Sequence, residues 1–478
     1  MTTLNTPRRG PRSRPLRLAL ALLLALAPAA ASAQGAPEPR REQLLNGLRI
    51  LALNRPGDPQ LLLRLRIHSG AAFDLAGKEG LMALLGDALF DAQTREYVRE
   101  ELGGRLEVST GLDAVDVTLS GRAQDFDRLL ELIRNAVTNM RFTNESVAAL
   151  REARRKTLAE AETAAAAADR AAAARLFNVH PYARPAAGTP ESVARVERAD
   201  LMLIQERFLN PNNATLVVVG DVQPARLMRA LRQSLGGWRK SDGLVPETFR
   251  RPEAPDARTL VVNRAGAEGA EVRLAVRGLA RADRDRPAAQ VLAALVRERW
   301  LAAFPELRER AATVRHEAHR EGGLFVLSAS VRTSAEAAKA LETARAVLNS
   351  LASNVPSAAE LDAARRAFAD TLDAQQAADA WAASWLDEHS YKSPAVTASE
   401  TARAAAALTP DEAQRVAARL FLHTPSAAVA VGDAEGLRAE LARLGGVEVF
   451  GEQPPKQAQQ PPPPPPARQQ PAIQLKRP

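Results

Sequence analysis

An internal repeat constrains the fold of this chain more than any other feature of its sequence. Short phrases recur in the same order in both halves at offsets of 209, 211 and 212 residues: Asn54-Arg55 with Leu63-Arg64-Leu65 and Asn263-Arg264 with Val272-Arg273-Leu274, Glu152 to Arg155 and Ala363 to Arg366, and Val218 to Asp221 and Ala430 to Asp433. The middle match is the weakest because alanine and arginine are frequent throughout. Since the offset drifts by only three residues, duplication of one structural unit explains the pattern better than chance does.

Within each half, the apolar pattern changes between the period of a strand and the period of a helix. Strands are predicted at 61–67, 115–119, 215–219, 272–276, 324–331 and 427–431, and helices at 126–140 and 146–177. The sequence therefore predicts two α+β sandwiches, each with helices on one face of a largely antiparallel sheet.

The first 33 residues are typical of a signal peptide. A segment with five arginines precedes an apolar run from Leu18 to Ala27, and Ala31-Ser32-Ala33 forms a cleavage site. The run has ten residues, whereas a membrane-spanning helix needs about 20, which argues against a retained anchor. We therefore expect a periplasmic or secreted protein with no membrane span after signal removal. The Arg8-Arg9 pair leaves open which of the two export routes, general secretory or twin-arginine, is used.

Two segments rich in proline divide and end the chain. The segment 241–256 is predicted to link an N-terminal domain at 40–240 to a C-terminal domain at 257–448. The segment 449–478 includes six consecutive prolines, Pro461 to Pro466, and is predicted to be an extended tail. Such a tail serves as a spacer or as a ligand for a partner protein.

Composition excludes several classes of function. The chain of 478 residues has no cysteine, which excludes a disulfide framework, a thiolate metal site and a cysteine nucleophile. Its formal charge of +8 is concentrated in the signal segment and the tail, so the predicted domains are nearly neutral. Because only 4% of the residues are aromatic, the sequence does not support nucleic-acid binding.

A series of phrases gives the chain a family resemblance. They are Leu45 to Arg49, Ser69-Gly70 with Asp74, Gly80-Leu81, Gly103-Gly104, His180-Pro181-Tyr182, Gly188 to Glu191, Pro211 to Asn213 and Leu307 to Glu309. In order and spacing they resemble the pitrilysin/insulinase family of zinc metallopeptidases, in particular its small bacterial subunits with two halves. The resemblance implies two homologous sandwich domains of the LuxS/metallopeptidase type, which together form half of a clamshell.

The resemblance ends at the zinc motif. Active members carry H-x-x-E-H on the helix after the Gly-Leu pair, where two histidines bind zinc and the glutamate activates water. In this chain Ala83, Gly86 and Asp87 occupy those three positions. Glu160 matches the family's third ligand and is a possible remnant. A site made only of Asp87 and Glu160 would favour Ca²⁺ or Mg²⁺ over zinc, and the simpler interpretation is an ordinary surface Asp and helix Glu.

Other candidate residues are weaker. His316 and His319 are three residues apart on a predicted strand, a spacing that places them on opposite faces. Arg308 matches a family arginine that grips peptide, but Arg315 stands where the family has tyrosine. An ordinary surface arginine is the alternative interpretation of Arg308. The strand from Arg105 to Thr110, and within it Leu106, Glu107, Val108 and Ser109, is predicted to pair with extended peptides along its edge.

These observations predict a non-catalytic subunit or paralogue of a periplasmic pitrilysin-like peptidase. It is expected not to be an enzyme by itself and to require no cofactor, with zinc only in a catalytic partner subunit. Together the two subunits would bind or position extended peptides. The alternative is a structural scaffold of the same fold, like the core subunits of a respiratory complex. An active protease would need ligands that the sequence does not offer.

Overall fold

The computed structural model of the chain describes residues 37–243, 249–372, 377–393 and 398–450, and this part forms two six-stranded sheets, one in each half. The first contains β1 (Arg40–Gln43), β2 (Arg49–Asn54), β3 (Gln60–Ile67), β4 (Arg105–Thr110), β5 (Val115–Arg122) and β6 (Ala214–Gly220). The second contains β7 (Thr259–Asn263), β8 (Ala270–Gly278), β9 (Thr313–Ala318), β10 (Gly323–Val331), β11 (Ser426–Gly432) and β12 (Val447–Phe450). The α+β prediction is confirmed.

The order of the strands shows the duplication directly. The first sheet runs β1-β2-β6-β3-β5-β4 and the second runs β12-β7-β11-β8-β10-β9. Strands β2 and β6 pair in parallel, as β7 and β11 do, whereas β3 to β5 and β8 to β10 form antiparallel ladders. Strand β4 is therefore one edge of the first sheet, and β9 is the equivalent edge of the second.

Fifteen helices are present in the described part of the chain. Those of the first half are α1 (Leu81–Ala88), α2 (Ala92–Glu100), α3 (Phe126–Thr138), α4 (Asn144–Glu160), α5 (Ala164–Phe177), α6 (Pro190–Ala194), α7 (Arg198–Phe208) and α8 (Pro224–Leu235). Those of the second half are α9 (Arg286–Ala303), α10 (Ser334–Ser353), α11 (Ala358–Leu372), α12 (Ala377–Tyr391), α13 (Ala398–Ala407), α14 (Pro410–Phe421) and α15 (Ala434–Leu441). Short 3-10 turns occur at Ala71–Phe73, Ala123–Asp125, Pro181–Ala183, Pro211–Asn213 and Pro305–Glu309.

The single long helix predicted at 146–177 is wrong. The chain forms two helices there, α4 and α5, and Thr163 caps the second by accepting a hydrogen bond from the backbone N–H of Ala166. In a continuous helix the N–H of Ala166 would donate to the backbone carbonyl four residues earlier. The hydroxyl of Thr163 accepts this hydrogen bond instead, as a helix N-cap does, so a new helix begins here.

The two halves exchange helices, which the prediction of helices on one face of each sheet did not include. Helix α12 of the second half lies on the first sheet, where Trp385 and Leu386 pack against Leu62 and Val217. Helix α5 of the first half lies on the second sheet, with Ala168, Ala172 and Leu176 against Ala275 and Val429. Both faces of each sheet are apolar, and each exchanged helix covers the sheet face that the other half leaves open. Burial of a side chain as large as Trp385 stabilises this contact by roughly 3 kcal/mol.

Buried ion pairs fix the exchanged helices. On the first sheet, the Arg66 guanidinium contacts Asp116 at 2.8 Å and Asp387 of α12 at 2.9 Å. On the second, Arg273 contacts Asp169 of α5 at 2.7 Å. Because both guanidinium groups are almost fully buried, removing one carboxylate would leave each buried charge with a single partner, Asp116 for Arg66 and Glu271 for Arg273.

The predicted boundaries fall near the ends of elements. Helix α8 precedes and β7 follows the predicted linker 241–256, of which 244–248 lies outside the described residues. The tail boundary at 449 is two residues early, because pairing of β12 with β7 continues to Phe450. The signal segment and the rest of the tail also lie outside the described residues. Within the described ranges, no helix combines the length and the apolarity needed to cross a bilayer.

Candidate functional site

Helix α1 carries the positions of the lost zinc motif, and backbone contacts set its beginning. The buried carboxylate of Asp74 accepts hydrogen bonds from the N–H groups of Gly80 (2.7 Å) and Met82 (2.8 Å). Gly80 has φ +90°, and a Cβ there would lie 2.9 Å from the Cα of Gly188. The family phrases Gly80-Leu81 and Gly188 to Glu191 are thus in direct backbone contact. Only glycine fits this approach without strain.

Asp74 is the most perturbed carboxyl group near this helix. Burial raises its pKa to about 7, although the N–H donors of Met82 and Gly80 act in the opposite direction. The carboxyl group caps the helix through these backbone N–H groups, and it does not contact the side chains at the motif positions. It is therefore a positioning residue for α1, and the Gly-Leu phrase six residues later was the sequence signal for it.

The three positions of the lost motif have no ligand chemistry in the structure. Ala83 is 1% exposed and packs in the core, and Gly86 is also buried. Asp87 is partly exposed, and both its oxygens contact Nη1 of Arg154 on α4, at 3.1 and 3.3 Å. An arginine thus already neutralises the one carboxylate that the motif positions retain.

The packing around Gly86 leaves little room for a catalytic glutamate. A Cβ at this position would lie 2.9 Å from Oγ1 of Thr110 and 3.3 Å from Cγ1 of Val108, both on β4. Helix α1 therefore sits closer to the edge strand than a helix with a side chain at 86 would. Restoring the glutamate requires β4 or its side chains to move.

Glu160 does not complete a metal site either. Its side chain is 66% exposed and its ion-pair partner is Lys156, at 3.9 Å. It lies six residues beyond Arg154 on α4, which is roughly 9 Å along the helix. Across the described ranges no group of three or more His, Cys, Asp or Glu side chains is arranged to hold a metal ion. The zinc of the family thus does not fit the side chains present, and we derive no catalytic step through it.

The predicted peptide-binding strand β4 lies next to α1 and pairs with β5 alone in its sheet. Leu106 and Val108 face the core, while Glu107 and Ser109 are exposed. Nη1 of Arg95 donates to the carbonyl of Leu106 at 3.3 Å, and Arg105 forms an ion pair with Asp379 of α12 at 2.6 Å. In the described sheet, the outer edge of β4 therefore pairs with no second strand. The contacts of Leu106 and Arg105 hold the strand in place.

The two arginines of the second half have different environments. Arg308 lies in the 3-10 turn Pro305–Glu309 and is 57% exposed, and among the described residues its one ion-pair partner is the distant carboxylate of Glu298, at 3.9 Å. Arg315 on β9 bonds to Ser328, Glu317 and Asp169 and so helps to hold α5. At the position where the resemblance places the family's tyrosine, Arg315 consequently makes a contact between the two halves.

The histidines have structural contacts. His316 accepts a hydrogen bond from the N–H of Leu279, and burial lowers its pKa to about 4. His319 lies one residue beyond β9, so it is not on the strand as predicted, and it stacks near Tyr182, with ring centroids 5.2 Å apart. His180 accepts from the N–H of Tyr182 through Nδ1.

A contact between the halves centred on Tyr182 was missed at the sequence level. The Tyr182 hydroxyl donates to Asp113 at 2.6 Å and accepts from the N–H of Glu321 at 3.2 Å, while Asp113 also accepts from the N–H of Arg320. The His-Pro-Tyr phrase was the signal. Its role needs partners 69 and 139 residues away, which no local pattern identifies.

Comparisons with known proteins agree with this geometry. The family model "Insulinase (Peptidase family M16)" matches residues 49–190, and the model "Peptidase M16 inactive domain" matches residues 195–368. Uncharacterized zinc proteases of Mycobacterium bovis and Mycobacterium tuberculosis are each 27% identical over 233 residues, 47% of this chain and 51% of theirs. The chain thus spans about half the length of these curated relatives.

Solved structures share the fold. The peptidase M16 inactive domain from Pseudomonas fluorescens has a TM-score of 0.73 and 18% identity, covering 83% of this chain and 99% of its own. The periplasmic protease PqqL from Escherichia coli has a TM-score of 0.66 and 17% identity, covering 85% of this chain but 49% of its own. Two consecutive models of one family together match residues 49–190 and 195–368, about two thirds of the chain. The chain therefore belongs to the insulinase (M16) peptidase family, without that family's H-x-x-E-H motif.

Proposed function

We propose that this chain is the non-catalytic half of a two-chain, exported M16 peptidase, and that it binds or positions extended peptides for a zinc-bearing partner subunit. The observation that carries the proposal is the pairing of α1 with β4. The helix keeps its cap and its packing but has Ala83, Gly86 and Asp87 in place of the ligands. The strand beside it keeps an edge on which a peptide can add.

The share of a longer relative that this chain matches supports the proposed partner. This chain matches 49% of PqqL, a single chain of about twice the size. Half of such a chamber cannot enclose a peptide alone, and the missing zinc ligands must then come from the other half. The predicted signal segment and the periplasmic relative support a location outside the cytoplasm.

The first test uses the purified chain with and without a partner that carries an intact H-x-x-E-H motif. We expect the chain alone to bind less than stoichiometric zinc and to cleave no peptide, and we expect the mixture to cleave peptides faster than the partner alone. Peptidase activity of the pure chain that a chelator abolishes would overturn the proposal.

The second test separates the peptide-binding role from the scaffold alternative. Arg308→Ala is expected to raise KM for peptide cleavage by the mixed subunits, because the exposed guanidinium is free to bond a peptide carbonyl. The control is Arg128→Ala, since Arg128 is similarly exposed (63%) and lies in the first half on α3. Equal activity of both variants and the unchanged chain would favour a scaffold.

A further inference from the structure

A cleft between the two halves has two positive charges and aromatic walls. It has a volume of about 300 Å³, at the small end of the range for ligand pockets. It is lined by Phe177, His180, Tyr182, Phe249, Arg251 and Arg277, together with the glycines that begin β10 and end β8. It is distinct from α1 and β4, and neither the zinc motif nor the edge strand contributes to it.

The aromatic wall is built in advance of any ligand. The rings of Phe177 and Tyr182 meet edge to face with centroids 5.8 Å apart, as do those of His180 and Phe249 at the same separation. The rings of His180 and Tyr182 also meet edge to face, with centroids 4.6 Å apart, and the hydroxyl of Tyr182 donates a hydrogen bond to Asp113. Such mutual packing holds the rings in place, so they present a fixed apolar surface to the cleft.

The arginines of the cleft lack a carboxylate partner. Within the described part of the chain, Arg251 makes no ion pair or hydrogen bond, and Arg277 donates only to the backbone carbonyl of Glu253. Nε of Arg277 is buried without a hydrogen-bond acceptor. Burial and the positive charge of Arg251 lower the pKa of Arg277. Two guanidinium groups with unused donors are the usual protein arrangement for binding a planar anion.

The cleft also excludes some anions. Glu321 lines it, and its charged neighbours are Arg320 and Asp113, so this carboxyl group does not neutralise Arg251 or Arg277. Its negative charge opposes a multiply charged anion such as a phosphate more strongly than a singly charged carboxylate. An anion with no apolar part would leave the aromatic wall without a contact.

We propose that this cleft binds the C-terminal carboxylate of a peptide whose last side chain is apolar or aromatic. Arg251 and Arg277 donate to the carboxylate oxygens, and the last side chain packs on Phe177 and Phe249. The chain would thereby hold one end of an extended peptide at the junction of the halves. The proposal concerns a separate site, and its test requires neither a partner nor cleavage, so it stands or fails independently of the proposed function.

The test measures binding of an N-terminally labelled hexapeptide that ends in phenylalanine to the full chain, by fluorescence polarisation. We expect the free acid to bind at least about tenfold more tightly than the same peptide with a C-terminal amide. Raising the salt concentration should weaken binding of the free acid and leave binding of the amide unchanged.

Two variants locate the site. Arg251→Met and Arg277→Met should each weaken binding of the free acid by about tenfold and remove its advantage over the amide. Arg251→Lys should retain part of the affinity because the charge remains. The matched control is Arg250→Met, an exposed neighbour that does not line the cleft, which should bind normally.

Several results would overturn the proposal. They are equal affinity for acid and amide, unchanged binding by Arg251→Met, no binding at about 1 mM peptide, and tighter binding of inorganic phosphate or a mononucleotide than of the peptide. If Arg277→Met does not fold, the exposed Arg251 still decides the question.

Discussion

The helix that follows β3 in the first half and the equivalent strand β8 in the second is present in both halves but is held in different ways. Both α1 and α9 pack against the edge strand of their own sheet. Helix α9 has 18 residues and buries large apolar side chains, including Leu292, Leu295 and Trp300. Helix α1 has eight residues and approaches β4 through Gly86.

The difference shows what remains when a metal site is lost. In the second half, large apolar side chains anchor the helix, together with the hydrogen bond from the Trp300 indole N–H to the carbonyl of Ala340. In the first half, the former ligand positions contribute little volume, and the Asp74 cap and the contact of Gly80 with Gly188 take over. The first half therefore adds backbone contacts to the buried side chains of α1, such as Leu81 and Leu84, at a place where the second half depends mainly on side-chain volume.

The largest effect is expected from breaking that backbone contact. Gly188→Val would place a Cβ 2.4 Å from the carbonyl oxygen of Glu79 at φ +80°, so we expect the free energy of unfolding to fall by about 3 kcal/mol or more. The control Gly57→Val has a similar φ, +78°, but no neighbour within 4 Å, and should lose about 1–2 kcal/mol. Urea unfolding measures both, and equal losses would show that the contact is unimportant.

The exchanged helices give a second comparison, between the ion pairs that fix α12 and α5. Asp387→Asn removes the one carboxylate that Arg66 and Arg281 share, so we expect a loss of about 2–3 kcal/mol of stability. Asp169→Asn should cost about 1 kcal/mol, because Arg273 keeps Glu271 and Asp169 is 41% exposed. Urea unfolding with the opposite ranking would contradict this account of how the halves join.

Restoring the motif tests whether α1 can still hold zinc. The triple variant Ala83→His, Gly86→Glu, Asp87→His should bind no stoichiometric zinc on dialysis and metal analysis. It should lose about 2 kcal/mol of stability, because the glutamate side chain collides with Thr110 and Val108. Asp87→His alone, at a partly exposed position, is the control and should fold normally. One tightly bound zinc per chain with unchanged stability would refute the packing argument.

The smallest effect concerns acid. Burial, followed by the charge of Arg49, lowers the pKa of His389 on α12 to about 4. Between about pH 6.5 and pH 4 the unfolded chain thus binds more protons than the folded chain, so stability present above pH 6.5 is lost as pH falls through this window.

His389→Gln should reduce the loss of stability over this window by about 1 kcal/mol, a value discounted because the side chain is partly exposed. His423→Gln, at an exposed position, is the control for the removal of a histidine. Urea unfolding at pH 7 and pH 4.5 compares them, and identical curves for His389→Gln and the original chain would rule out this histidine as the source.

Much of the fold was predictable because the spacing of apolar residues that indicates a strand or a helix can be recognised within a short segment of sequence. The alternation of Leu61 to Ile67 and the helical spacing from Phe126 onward each predicted an element that the structure contains. The helix break at Thr163 was missed, since an alanine-rich segment continues the helical pattern across it. A capping threonine was the only signal of the break.

The candidate site was predictable only in part. The replacement of the zinc ligands at Ala83, Gly86 and Asp87 follows from the sequence alone. The pairing of Asp87 with Arg154 and the approach of β4 to Gly86 do not, because they depend on how α4 and β4 are oriented around α1.

The sequence by itself determined the duplication, the α+β class and the loss of the H-x-x-E-H side chains, since these follow from residue identity, order and period. Only the tertiary structure decided that the halves exchange α5 and α12, that Tyr182 and Asp113 join them, and that Arg251 and Arg277 share a cleft with aromatic rings. The physical reason is that the spacing of apolar residues along the chain indicates which face of an element each side chain occupies. The residue that a side chain contacts depends instead on how distant segments pack.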